Sequence, residues 1–138
     1  MTFTDAELTY LAGQRLGRLA TVAADGMPQV NPTSFRYDPE TGTIEVGGQD
    51  LGATKKFRNV EATGRAAFVV DDIASYEPWT VRGIEIRGTA EALRDQPPPF
   101  PWASPEVIRI HPQVIFSWGI ESGSHEMRRR TVAAARRP

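Results

Sequence analysis

The chain has 138 residues, 40% of them hydrophobic and 24% charged, with a formal net charge of −1 and no cysteine. This is one domain with a real core; disulfides, thiolate metal sites and cysteine nucleophiles are excluded, and a near-neutral charge argues against a nucleic-acid binder. The N-terminal segment has no basic n-region and no stretch is long enough to span a bilayer, so neither a signal peptide nor a membrane partner is expected, and a cytoplasmic location is.

Thr4-Asp5-Ala6-Glu7 has the form of a capping box, and Leu8, Leu11 and Ala12 follow at helical spacing, with Gly13 or Gly17 as the stop. Leu19, Thr21 and Ala23 then alternate with Arg18, Ala20 and Val22, and Asp25-Gly26 predicts a tight turn between two strands. A second turn over 38–42 leads into a third strand, Thr43–Gly47. Residues 54–63 read as a short helix with Phe57 and Val60 inward, ended by Gly64. The apolar run Arg65–Asp72 predicts a strand covered on both faces, with Asp71-Asp72 at a helix start or strand end. Residues 81–93 form a further strand, with Ile84 and Ile86 opposite Glu85 and Arg87. A proline-rich loop follows, then two strands, Val107–His111 and Val114–Trp118, flanking Pro112. The pattern predicts a mostly antiparallel barrel with peripheral helices, a single domain over 1–122, and a frayed, solvated basic tail over 123–138.

Residues 52–65 collect Lys55, Lys56, Arg58 and Arg65 against one acid, Glu61. With Thr54 as N-cap, the lysines occupy the first two helical positions, where each cation opposes the macrodipole by about 0.3–1 kcal/mol. A solvated basic face is the plain alternative. A threonine cap, free helix amides and the upstream Gly47, Gly48 and Gly52 instead favour a phosphate site, because backbone and cations converge on an anion there. Of the two histidines, His111 adjoins Pro112 and His125 lies in the tail, and both read as surface residues. No zinc signature, Walker loop or nucleophile elbow is present and no metal is expected, so an enzyme built on this chain needs a cofactor for its chemistry.

The hairpin "RLATVAADGMPQVNPTSF", the segment "TKKFRNV" and the strand "VIRIHPQVIFSWGI" resemble the pyridoxamine 5′-phosphate oxidase-like flavin-binding split barrels. They are closest to the actinobacterial branch of deazaflavin-dependent (F-420) oxidoreductases, and the similarity spans roughly residues 10–120. The resemblance implies a mostly β, six- or seven-stranded antiparallel split barrel that forms a homodimer, with two cofactors in clefts between protomers. It places the cofactor phosphate on Thr54, Lys55, Lys56 and Arg58, and the ring along Asn31, Pro32, Thr33 and Ser34 with Val46 and Gly47 on the neighbouring strand. The oxidase's basic pair on the second strand has no counterpart in "VNPTSF", so oxidation of pyridoxamine phosphate itself is not expected. Pro32 lacks a ladder donor and belongs at an edge, at a bulge or beside a ligand. Trp79, Trp102 and Trp118 are candidates for a substrate wall or dimer interface, and Trp118 is taken into the site.

Three functions share this site. The first is hydride transfer from reduced F-420 to a small electron-poor C=C, C=N or quinone-like substrate, with water or the hydroxyl of Thr33 or Ser34 supplying the proton. The second keeps the enzyme and exchanges F-420 for FMN. The third is a non-catalytic carrier of deazaflavin or a tetrapyrrole.

Overall fold

Thr4 opens the first helix, α1 (Asp5–Ala12), through a complete capping box: its hydroxyl accepts the Glu7 N–H, and the Glu7 carboxylate accepts the Thr4 N–H. The computed structural model describes residues 2–121 and 126–132. After α1 come β1 (Leu16–Val22), β2 (Pro28–Asp38), β3 (Thr43–Val46), a single 3-10 turn (Leu51–Ala53) and α2 (Lys55–Thr63). The chain then forms β4 (Arg65–Tyr76), β5 (Trp79–Leu93), β6 (Val107–Trp118) and β7 (Arg128–Thr131).

All strand pairings are antiparallel in the order β3-β2-β1-β4-β5-β6-β7, and β3 also pairs with β6. That last pairing closes six strands into a barrel and leaves β7 outside it. Inward positions alternate along each strand: Leu19, Phe35, Ile44, Phe68, Ile84, Ile86, Ile110 and Ile115 are all buried in one core. Each such aliphatic or aromatic side chain contributes about 1.5–3 kcal/mol by leaving water. The α2 helix lays Phe57 and Val60 against β1 and β5 and ends at Gly64 in the left-handed conformation.

Four expectations are corrected. The segment around Pro112 is one strand, β6: Pro112 stays paired with Gly88, and Gln113 is the extra residue of a bulge where the register shifts between Gly88 and Arg87. Asp71 and Asp72 lie within β4 and not at its end. Asp71 pairs with Arg18, while Asp72 accepts a bidentate pair of bonds from Arg82 at 3.0 and 2.6 Å and the Tyr10 hydroxyl at 2.7 Å. The β4 run is covered on one face only, since Ala66, Phe68 and Val70 are buried while Ala67 and Val69 are half-buried. Within the tail, Arg128–Thr131 is a sheet strand, so the frayed reading does not hold there; His125 lies outside the described residues.

Two buried carboxylates are compensated by arginines, Glu45 by the residues opposite it on both neighbouring strands and Glu7 by one from the last strand. Glu45 is held by Arg36 through one oxygen at 2.9 and 2.7 Å and by Arg109 through the other at 3.2 and 2.8 Å. Glu7 is held by Arg130 of β7, which also donates to the Thr2 carbonyl at 2.8 Å. Pairing of this kind is what makes a buried carboxylate tolerable.

Candidate functional site

Past Val46 the chain runs through Gly47, Gly48, Gln49 and Asp50 into the 3-10 turn and α2. Where this connection meets β2 and the start of β1, a cleft of about 400 Å³ opens. Its walls are Pro32, Thr33 and Ser34 of β2, Leu16 of β1, residues 47–51, Thr54 and Lys56 at the start of α2, and Trp102 from the proline-rich loop.

That loop holds the connection in place. The Ser104 N–H donates to the Gly48 carbonyl at 2.8 Å, the Leu51 N–H to Ser104 Oγ at 3.1 Å, and the Gly52 N–H to Glu106 Oε1 at 3.0 Å. Pro99 approaches Gly47 so closely that a β-carbon there would lie 2.5 Å from its Cγ. Only glycine fits there, because Pro99 occupies the side a β-carbon would take.

Thr54 caps α2: its Oγ1 accepts the Phe57 N–H at 3.3 Å and donates to the Leu51 carbonyl at 2.7 Å. Its single proton is thereby spent within the chain, so Thr54 shapes the helix start and offers an anion no donor. The N–H groups of Lys55 and Lys56, the first two of the helix, have no intrahelical acceptor. Lys56 is half-buried in the cleft wall, and among the described residues neither lysine forms an ion pair; Glu61 faces Arg94 instead, at 3.8 Å. Asp50 borders the same cleft and offsets part of its positive charge.

Thr33 supplies an independent sign of a ligand. It is 6% exposed and lines the cleft, yet its Oγ1 has no hydrogen-bond partner. Leaving a buried hydroxyl unpaired costs about 1–3 kcal/mol, which a ligand's polar atom would recover. Helix amides, an unpaired ammonium and an orphaned hydroxyl form a donor set that fits a phosphate-bearing flavin or deazaflavin.

Of the residues expected at the site, the structure brings Pro32, Thr33, Ser34, Gly47, Thr54 and Lys56 together around this cleft. Asn31, Lys55 and Arg58 lie outside its lining, and Arg58 bends back to donate to the Ala53 carbonyl at 3.0 Å. Arg65 starts β4 at the far end of α2, roughly 13 Å from the helix start by the rise per residue. Two residues are placed elsewhere. Val46 is fully buried in the barrel core, because it occupies the inward position of β3. Trp118 packs across β5 against Gly83. Gly48, one of the glycines read as favouring a phosphate site, and Trp102, a candidate for a substrate wall or dimer interface, also line it, while Leu16, Gln49, Asp50 and Leu51 join the cleft without having been singled out. His111 lies 2.8 Å from Glu91 on the surface, and among the described residues no cluster of acids and histidines could hold a metal.

A family profile described as pyridoxamine 5′-phosphate oxidase matches residues 3–132. The chain is 50% identical over 125 residues to a 5a,11a-dehydrotetracycline/5a,11a-dehydrooxytetracycline reductase of Streptomyces rimosus, covering 88% of this chain and 86% of that protein. Among solved structures, an F420 reductase superimposes with a TM-score of 0.59 at 26% identity, over 78% of this chain and 93% of that one. A conserved hypothetical protein of Mycobacterium tuberculosis superimposes with a TM-score of 0.67 at 21% identity, over 86% of each chain, a likeness of fold alone.

Proposed function

The chain belongs to the pyridoxamine 5′-phosphate oxidase family and is an oxidoreductase, and on that premise we propose that it is an F-420-dependent reductase of a conjugated, electron-poor C=C bond. The observation that carries the reading is the pairing of an unpartnered Thr33 hydroxyl with a Lys56 that forms no ion pair among the described residues, at a helix start in one cleft. The identity to a reductase named for dehydrotetracycline substrates and the likeness to an F420 reductase support it. When bound, the reduced deazaflavin supplies a hydride to the substrate and is oxidised by two electrons.

The chain's residues bind, orient and shield. Lys56 and the first α2 amides would hold the phosphodiester, and Gly47 and Gly48 would border the ring. Thr33 Oγ1 would donate to a polar atom of the ring edge. The electron pair arriving at the substrate's β-carbon pushes the double-bond electrons onto its carbonyl oxygen. A proton from water or the Ser34 hydroxyl at the cleft wall then completes the saturated product. No strong acid is required, and among the described residues the cleft lining carries no histidine.

A second copy of the chain belongs to this reading. The outer face of β1 and β2 exposes Leu16, Val22, Met27 and Val30, and Leu16 also borders the cleft. A homodimer built on that face would cover these side chains and complete the cleft wall. Sedimentation at micromolar concentration should give twice the 15.2 kDa chain mass, and a monomer at all concentrations would remove the two-chain site.

Titration of the purified protein with F-420 and with FMN tests the cofactor. Tighter binding of F-420, weakened by added salt, is expected, since exposed ionic contacts are screened within about 8 Å at physiological ionic strength. Tight stoichiometric FMN, with rapid oxygen consumption on reduction, would move the assignment to FMN.

A further inference from the structure

Among the residues lining the cleft, Trp102 alone is aromatic, and cofactor binding leaves it without a task. Its indole is 49% exposed and lies parallel to the Phe100 ring, with centroids 5.2 Å apart and planes 4° apart. Pro97, Pro98, Pro99 and Pro101 stiffen the segment that carries the pair by fixing φ. Backbone bonds tie it down: Gln96 N–H to the Pro105 carbonyl at 3.0 Å, Ala103 N–H to Phe100 at 3.1 Å, and Ser104 N–H to Gly48 at 2.8 Å. A large apolar side chain left half in water, yet held rigidly at a cleft mouth, has the properties of a stacking surface made ready for a ligand.

We propose that Trp102, backed by Phe100, is the shelf on which the electron acceptor lies, and that it selects flat fused-ring acceptors over small or puckered ones. The proposal rests on reading the cleft as a hydride-transfer site. The polar groups that hold a cofactor, Thr33 and Lys56, belong to β2 and α2, whereas Trp102 comes from the loop that caps the β3 end. Hydride transfer needs donor and acceptor carbons about 3–3.5 Å apart, so the acceptor lies ring on ring as a second layer. A half-exposed indole at the mouth gives that layer a second face. An electron-poor conjugated ring gains most there, because the face of indole is electron-rich. A ring too small to span the indole gains only part of this contact. Trp102 is thus a specificity-determining residue, and the class of substrate it points to is a planar polycyclic enone or quinone.

The test titrates 1,8-dihydroxyanthraquinone and, separately, cyclohex-2-enone onto the protein with and without oxidised F-420, comparing wild type, Trp102→Ala and Trp102→Phe. The expected result is about tenfold weaker anthraquinone binding for Trp102→Ala, near recovery for Trp102→Phe, and little change for cyclohexenone or for the F-420 dissociation constant. Melting curves for each variant show whether the loop stays folded, and a variant with an unchanged F-420 dissociation constant retains the cleft. Anthraquinone that binds neither wild type nor variant, or binds both equally, overturns the proposal. A loss confined to F-420 affinity overturns it as well, because Trp102 then belongs to the cofactor. Anthraquinone binding that depends on Trp102 in a protein that takes neither F-420 nor FMN keeps the shelf and removes the proposed function.

Discussion

Trp118 fills the space above Gly83: a β-carbon on Gly83 would come within 2.3 Å of the indole Cζ2 and 2.5 Å of Cε2. The two residues are paired across β5 and β6, so the contact is fixed by strand register. Gly83→Ala must push the indole aside, and a loss of about 1–3 kcal/mol in denaturant melts is expected from overpacking. Cofactor affinity should be untouched, since neither residue lines the cleft.

Lys56 is expected to carry most of the charge-dependent affinity. Lys56→Ala should weaken F-420 binding by about 1.5–3 kcal/mol, the scale of a charge-assisted hydrogen bond. Without ligand the variant should melt at the same temperature or slightly higher, because one cation opposing the helix dipole is gone. A variant that binds normally and melts much lower would make the cluster structural.

Thr33→Val separates the two roles of a buried hydroxyl. The shape is kept and the orphaned Oγ1 removed, so the free protein should gain about 1 kcal/mol in chemical denaturation while F-420 binding weakens by a similar amount. Opposite signs in the two measurements are the signature. If both fall together, Thr33 serves the core and not a ligand.

Arg82, and secondarily the Tyr10 hydroxyl, holds the Asp72 carboxyl below its ordinary value against the opposing effect of burial. Burial and the bond to Asp72 in turn push the Tyr10 phenol upward. A depressed carboxyl pKa gives stability that is present above the unfolded value, about pH 4, and is lost as pH falls through the folded one. Asp72→Asn should therefore be less stable at neutral pH and show a shallower acid limb in melts taken from pH 7 downward.

Local chemistry made part of this molecule readable in advance. The capping box at Thr4, the Asp25-Gly26 turn, the Thr54 cap and the Gly64 stop each act within four residues, and the helices and hairpin they predict are present. The misread pieces depend on partners far away in the chain. Pro112 looked like a break, yet it keeps its place opposite Gly88 and the strand continues through a bulge at Gln113, a register that only pairing with β5 sets. The basic tail looked solvated because Glu7, the partner of Arg130, is 123 residues away. Which tryptophan reaches the cleft depended on the proline-rich loop folding onto Gly48, a contact that spacing does not reveal. An exposed tryptophan inside a proline cluster was the available signal.

The bond between Glu7 and Arg130 also sets an order on biosynthesis. A chain made from its N-terminus exposes α1 early, and the capping box can form as soon as Glu7 leaves the ribosome. Its carboxylate cannot be buried favourably until β7 has been translated and docked on β6. During that interval the helix has reason to stay at the surface, in water, and the β1–β2 hairpin assembles without it. Seating of α1 is thereby made to wait for β7, and a ribosome stalled before Arg130 should hold a nascent chain whose first helix is still open to protease.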